Sequence, residues 1–216
     1  MDRLAHLIEP VPLPDFTAAV VRWLQDAHDA AAELNQARRH GPRGNWHNNT
    51  SFGVDRHQFL LSTAGTLTAE LPDLQVDLAF QSVLLKLPRA GVYQLQVPAG
   101  PWGSLGDTSE LRRELLTSTD DHSLISRPEI WLAGREKLFL VWNGTEEHGL
   151  TGAWAGQGEM LEKRIDWDWV VCLHDLTSSA GVIRQTGPLD PTIFDLPEPT
   201  LDLRPRRDSD EGRRSG

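Results

Sequence analysis

The stretch from about Asp15 to His40 constrains the fold most, because its apolar periodicity is that of one long helix. Apolar residues recur there at spacings of three and four, which places them on a single helix face. The residues of that face are Phe16, Val20, Trp23, Ala27, Ala30 and Leu34. Asp15 is positioned to cap the first turn, and Gly41-Pro42 ends the helix. We expect the apolar face to pack on a sheet of the same chain.

Alternating residues further along the chain predict antiparallel strands. Two segments, 83–87 and 93–97, form a hairpin around the turn 88–91. Two more, 138–142 and 150–154, are joined by a polar loop at 143–149. The clearest alternation predicts one face of a last strand, and its residues are Ile165, Trp167, Trp169, Val171 and Leu173.

Two further segments complete the expected domain. Residues 57–71 have a pattern that suits either a helix or a pair of strands, and a short helix is expected near 108–116. One long amphipathic helix packed on an antiparallel sheet makes an α+β domain, which we place at residues 1–183. Prolines and charges dominate residues 184–216, so we expect a flexible, disordered tail there.

Charge and cysteine content narrow the function classes. The net charge of −10 over 216 residues disfavours nucleic acid as a partner, because phosphate binding needs clustered Lys and Arg. A basic protein is the partner that such a surface attracts. The sequence contains one cysteine, Cys172, and shows neither a signal peptide nor an apolar run long enough for a membrane. We therefore expect a cytoplasmic protein with no membrane partner. Its many Arg and few Lys suggest a bacterial origin.

The stretch WHNNTSFGVDRH, residues 46–57, carries the densest set of chemically active side chains. We interpret it as a polar recognition loop after the long helix, with Asn, Ser and Gly favouring turns. The residues predicted to bind are Trp46, His47, Asn48, Asn49 and Arg56.

Two functional hypotheses follow. The first is a non-enzymatic protein-binding or regulatory module of the immunity, antitoxin or adaptor kind, without a cofactor. The alternative is a metal-assisted hydrolase or nuclease, in which His47, Asp55 and His57 hold the metal and Asn49 polarises the substrate. Three ligands fall short of a complete structural site, and the sequence lacks a His-x-x-x-His pair in this stretch, so binding is the first hypothesis.

Overall fold

The computed structural model describes residues 2–41, 48–78, 82–105, 134–161 and 163–178. The described helices are α1 (Asp2–Ile8), α2 (Leu13–His40), α3 (Asn49–Glu70) and α4 (Leu173–Ser178). The described strands are β1 (Gln75–Asp77), β2 (Leu84–Lys86), β3 (Ala90–Gln96), β4 (Glu136–Thr145), β5 (Gly149–Leu161) and β6 (Arg164–Cys172). The predicted helix near 108–116, the domain boundary at 183 and the predicted disordered tail lie outside the described residues.

The long helix is confirmed as α2, with two differences from the prediction. It begins at Leu13 rather than Asp15, since Pro14 fits the first turn of a helix, where no backbone N–H is needed. Its buried face includes Phe16, Val20, Trp23 and Ala27, but then continues through His28, Ala31 and Asn35. Of the other predicted positions, Ala30 is half-buried, and the prediction is wrong for Leu34, which is 36% exposed. The last three turns of α2 face polar partners, which apolar periodicity cannot reveal.

The stretch predicted as a recognition loop is helical from Asn49 onward, so the loop interpretation is wrong for that part. It opens α3, which also decides the ambiguous segment 57–71 in favour of a helix. Residues at helical spacing face the interior: Phe52, Arg56, Leu60, Ala64 and Leu67. Helices α2 and α3 lie side by side and antiparallel, and ion pairs join Arg22 to Glu70 and Arg38 to Asp55.

The described strands form one six-stranded sheet in the order β1-β2-β3-β4-β5-β6, which confirms the α+β class. Four neighbouring pairs are antiparallel, including the predicted hairpin β2–β3 and the pair β4–β5. The pair β3–β4 is parallel, so the prediction of a wholly antiparallel sheet is wrong at this position. Parallel neighbours cannot be joined by a tight turn, and β3 and β4 begin at the same end of the sheet, where Ala90 pairs with Glu136.

Both faces of the sheet are apolar. One face packs against α1, α2 and α3, with core residues that include Val92, Leu138 and Leu140. The opposite face carries a second cluster that includes Tyr93, Phe139 and Leu105. The alternation along β3 and β4 therefore sends apolar side chains to both sides, and the helices lie over one of them.

A β-bulge divides the apolar residues of β6 between the two faces. Gln157 pairs with Trp169 while Gly158 pairs with Trp167, which leaves Asp168 as the extra residue. Ile165 and Trp167 consequently join the second cluster, whereas Trp169 and Val171 pack on the helical side. The prediction that these residues share one face is wrong, because a bulge reverses the alternation.

Candidate functional site

The stretch 46–57 enters the structure as the capped beginning of α3. Asn48 precedes the helix, and its Oδ1 accepts a hydrogen bond from the Ser51 backbone N–H at 2.7 Å. The Ser51 hydroxyl accepts one from the Asn48 N–H at 3.1 Å, which completes a capping box. Asn48 and Asn49 are both exposed. Trp46 and His47 lie outside the described residues.

Two of the proposed metal ligands, Asp55 and His57, lie within α3 rather than in a loop. Asp55 accepts hydrogen bonds from both terminal nitrogens of Arg38, one of them at 3.2 Å. Asp55 and His57 are two positions apart, so their side chains leave the helix about 200° apart. Over the described ranges, no three His, Cys, Asp or Glu side chains are grouped to hold a metal ion. His47 is not described, and the three-ligand hypothesis remains a prediction.

Arg56, predicted to contact a partner, faces the interior and is 3% exposed. Its guanidinium lies 4.7 Å from the centre of the Trp142 ring and 5.0 Å from that of Phe52, as in cation–π contacts. It donates to Gly144 O at 3.3 Å. Within the described part of the chain Arg56 has no carboxylate partner, and its Nε has no acceptor. Burial lowers the pKa of Arg56 to about 10, which still leaves it protonated at neutral pH.

His28 connects Arg56 to the chain between β4 and β5. Its Nε2 lies 2.8 Å from Thr145 O, which can only accept, so Nε2 carries the proton. Its Nδ1 is then the acceptor for Arg56 Nη1 at 3.4 Å. The side chain is fully buried, and this burial, followed by the nearby Arg56 charge, lowers the pKa of His28 against the opposing bond to Thr145. His28 is therefore a neutral hydrogen-bonding bridge.

The β4–β5 turn (144–149) is held against α2 by further contacts. Asn35 is fully buried, and its Nδ2 donates to Glu146 Oε2 at 2.6 Å. Arg39 pairs with the other oxygen of Glu146 at 2.8 Å. A side chain at Gly144 would place its Cβ 2.8 Å from His28 Cε1, so the turn approaches α2 as closely as glycine allows. Together with His28 and Arg56, these contacts make a rigid support.

A cleft of about 600 Å³ opens above this support, between the end of α2, the start of α3 and the β4–β5 turn. We name it the α2–α3 cleft. The residues that line it are Ala32, Gln36, Arg39, His40, Asn49, Thr145, Glu146 and Glu147. In the described structure, four of these have side chains without a hydrogen-bond or ion-pair partner: Gln36, His40, Asn49 and Glu147. A ligand can bind to these four side chains without breaking a hydrogen bond or an ion pair of the described structure.

The cleft contains only part of the predicted site. Asn49 lines it, Asn48 caps the adjacent helix, and Arg56 supports it from below. Sequence reasoning missed the lining residues of α2 and of the β4–β5 turn. The sequence did contain one indication of the support. His28 and Asn35 are seven residues apart, so they lie on the same face of α2 as its buried apolar residues. Polar groups on a buried face indicate a polar partner there.

Comparison with known proteins adds no assignment. The chain matches no protein-family model, no curated protein and no solved structure. Among the described helices, none is both long enough and apolar enough to cross a membrane.

Proposed function

We propose that this chain is a non-enzymatic protein-binding module, of the regulatory, immunity, antitoxin or adaptor kind, that recognises its partner through the α2–α3 cleft. One observation carries the proposal: four polar side chains without partners converge on a cleft whose floor is tied down by His28, Asn35 and Arg56. The contacts of the floor hold the backbone of the β4–β5 turn and α2 in place before binding, so binding has to order little more than these side chains.

The ion pair between Arg38 and Asp55 supports binding over metal chemistry. Arg38 occupies both oxygens of Asp55, and a metal ion would have to displace that guanidinium. The enzymatic alternative, with His47, Asp55 and His57 on a metal and Asn49 on the substrate, predicts bound metal in protein purified without chelator. It also predicts a higher melting temperature on adding Zn²⁺, Mn²⁺ or Mg²⁺.

The proposal includes a cytoplasmic location and a bacterial source. The single cysteine of the sequence suits a reducing compartment. The excess of Arg over Lys is the compositional basis for a bacterial source.

Capture from native lysate tests the binding function. Tagged wild type is compared with Glu147→Lys, which reverses a charge in the cleft, and with Asp73→Lys, which makes the same charge change on an exposed turn far along the sequence. We expect a protein that co-purifies with wild type and Asp73→Lys and is depleted at least tenfold with Glu147→Lys. A set of captured proteins identical for all three baits would contradict the proposal.

A further inference from the structure

The chemistry of the α2–α3 cleft indicates which group of a partner it accepts. Its positive charge is largely committed, because Arg39 is paired with Glu146. Glu147 has no cation partner in the described structure. Glu33, one residue from the lining residue Ala32, is exposed and has no partner there either. Among the described residues around the cleft, the acidic side chains Glu33 and Glu147 are therefore the ones that no ion pair engages.

The acidic character continues along the exposed face of α2. Asp29, Glu33, Gln36 and His40 follow one another at spacings of three and four, so they form one stripe that ends at the cleft. Asp29 accepts a hydrogen bond from Gln25 at 2.7 Å and has no ion pair in the described structure. A cation approaching the cleft meets carboxylates along this stripe and on the β4–β5 turn.

A second observation lies at the base of the cleft. The amide of Asn35 contacts the lining residue Glu146, yet Asn35 Oδ1 is buried and has no donor in the described structure. Asn35 is fully buried next to Glu146, and the cleft itself is lined by the carboxylates of Glu146 and Glu147 together with side-chain amide oxygens. A guanidinium presents five N–H donors and no acceptor, which matches this set.

Resting on the proposed binding function, we propose that the cleft accepts an arginine side chain from a basic protein segment. Glu147 pairs with the guanidinium from the rim, and Glu146 exchanges part of its contact with Arg39 for it. The side-chain amides of Gln36 and Asn49 bind the peptide groups on either side. A volume of about 600 Å³ accommodates a long side chain together with the adjacent backbone. The net charge of −10 draws such a segment toward the molecule.

The test titrates the full ¹⁵N-labelled chain with the capped peptide Gly-Arg-Gly. The matched ligand is Gly-citrulline-Gly, which has nearly the same shape but no charge. We expect saturable amide shifts centred on Gln36, Asn49 and Glu147 with the arginine peptide, and affinity at least tenfold weaker with the citrulline peptide. Shifts that do not saturate, or equal affinity for both peptides, would overturn the assignment.

Two variants separate this inference from the binding function. Glu147→Gln removes one charge from an exposed side chain without a described partner, and we expect roughly tenfold weaker peptide binding with an unchanged melting temperature. Asp73→Asn should bind the peptide as wild type does. If the peptide fails while capture of a protein still depends on Glu147, the arginine assignment is wrong and the binding function stands. If the peptide binds but capture of a protein does not depend on Glu147, the arginine assignment stands and the proposed binding function is wrong.

Discussion

Arg56 is the residue whose environment differs most from a surface charge. Its guanidinium lies between the rings of Phe52 and Trp142, and in the described structure its polar contacts are Gly144 O and His28. A buried charge without a counter-charge is unfavourable unless its surroundings compensate, and here ring faces and a carbonyl do so. Arg56 thus fills the space between α3 and the β4–β5 turn while anchoring the turn.

Substitutions of Arg56 test whether its side chain stabilises the fold by filling space and by hydrogen bonding. We expect Arg56→Ala to lower the free energy of unfolding by about 3 kcal/mol, since it leaves a cavity and removes the hydrogen bond to the Gly144 carbonyl. Arg56→Met, which refills most of the space, should lower it by less than about 1.5 kcal/mol. Urea unfolding measures both.

The control is Arg22→Ala, which breaks an exposed pair with Glu70. Exposed pairs contribute about 0–1 kcal/mol, so this variant should remain close to wild type. An Arg56→Ala variant as stable as Arg22→Ala would contradict the supporting role of Arg56.

His28 should make stability depend on pH. Folding lowers its pKa below the ordinary value of 6.5, so near that pH the unfolded chain binds the proton more readily. The stabilisation of the folded state by neutral His28 is complete above about pH 6.5. It declines as the pH falls from there toward the pKa of His28 in the folded protein. The loss reaches about 1.4 kcal/mol for each unit by which the pKa is lowered.

The measurement compares the unfolding free energy of wild type and His28→Gln between pH 7.5 and 5. Burial also lowers the pKa of His174, and its contribution cancels in this difference because both proteins contain it. We expect the advantage of wild type to shrink toward acidic pH. A constant difference across the range would show that His28 does not titrate between the two states.

At the scale of the element, α3 depends on its first turn. The capping box of Asn48 and Ser51 satisfies backbone N–H groups that otherwise have no partner in the helix. We expect Asn48→Ala to lower the unfolding free energy by about 1 kcal/mol and Asn48→Ser by much less. Thermal unfolding measures both changes.

The neighbouring Asn49 provides the matched control for this cap. It is exposed and has no side-chain partner in the described structure, so Asn49→Ala should change stability by less than about 0.5 kcal/mol. The same variant should weaken partner binding, because Asn49 lines the cleft. Equal destabilisation by both alanine variants would contradict the distinction between cap and cleft.

The helices also show which buried residues can be predicted from the spacing of apolar residues alone. The apolar periodicity of α2 correctly predicted Phe16, Val20, Trp23 and Ala27 as buried, because those residues meet apolar partners. It failed beyond Ala27, where the buried positions are His28, Ala31 and Asn35 and two of these three carry polar side chains. At the start of α3 the Asn, Ser and Gly residues favoured a loop prediction, whereas Asn48 and Ser51 form the helix cap and Asn49 and Gly53 lie within the helix.

At the scale of the whole molecule, net charge governs encounter with a partner. A chain with a net charge of −10 attracts a basic protein electrostatically. Salt screens this attraction, with a Debye length of about 10 Å at 0.1 M. We expect the association rate constant with the captured partner to fall at least tenfold between 50 and 500 mM NaCl, as measured by surface plasmon resonance. An association rate independent of salt would contradict a basic partner.

The sequence by itself determined the α+β class, the long helix, the hairpin of β2 and β3, and the strands β4, β5 and β6. Each follows from the spacing of apolar residues, which is a local property of the chain. The sequence also predicts Asn49 as a contact residue, because it lies in the polar stretch 46–57, and Asn49 lines the cleft.

Only the tertiary structure decided the parallel pairing of β3 and β4, the bulge at Asp168 and the cleft. The cleft joins Gln36 to Glu147 across more than one hundred residues, and its floor depends on where a turn meets a helix. Hydrogen bonds such as His28 to Thr145 have no periodicity to signal them, because their partners come together only when α2, α3 and the sheet have packed. Local spacing therefore predicts elements, whereas the site belongs to their packing.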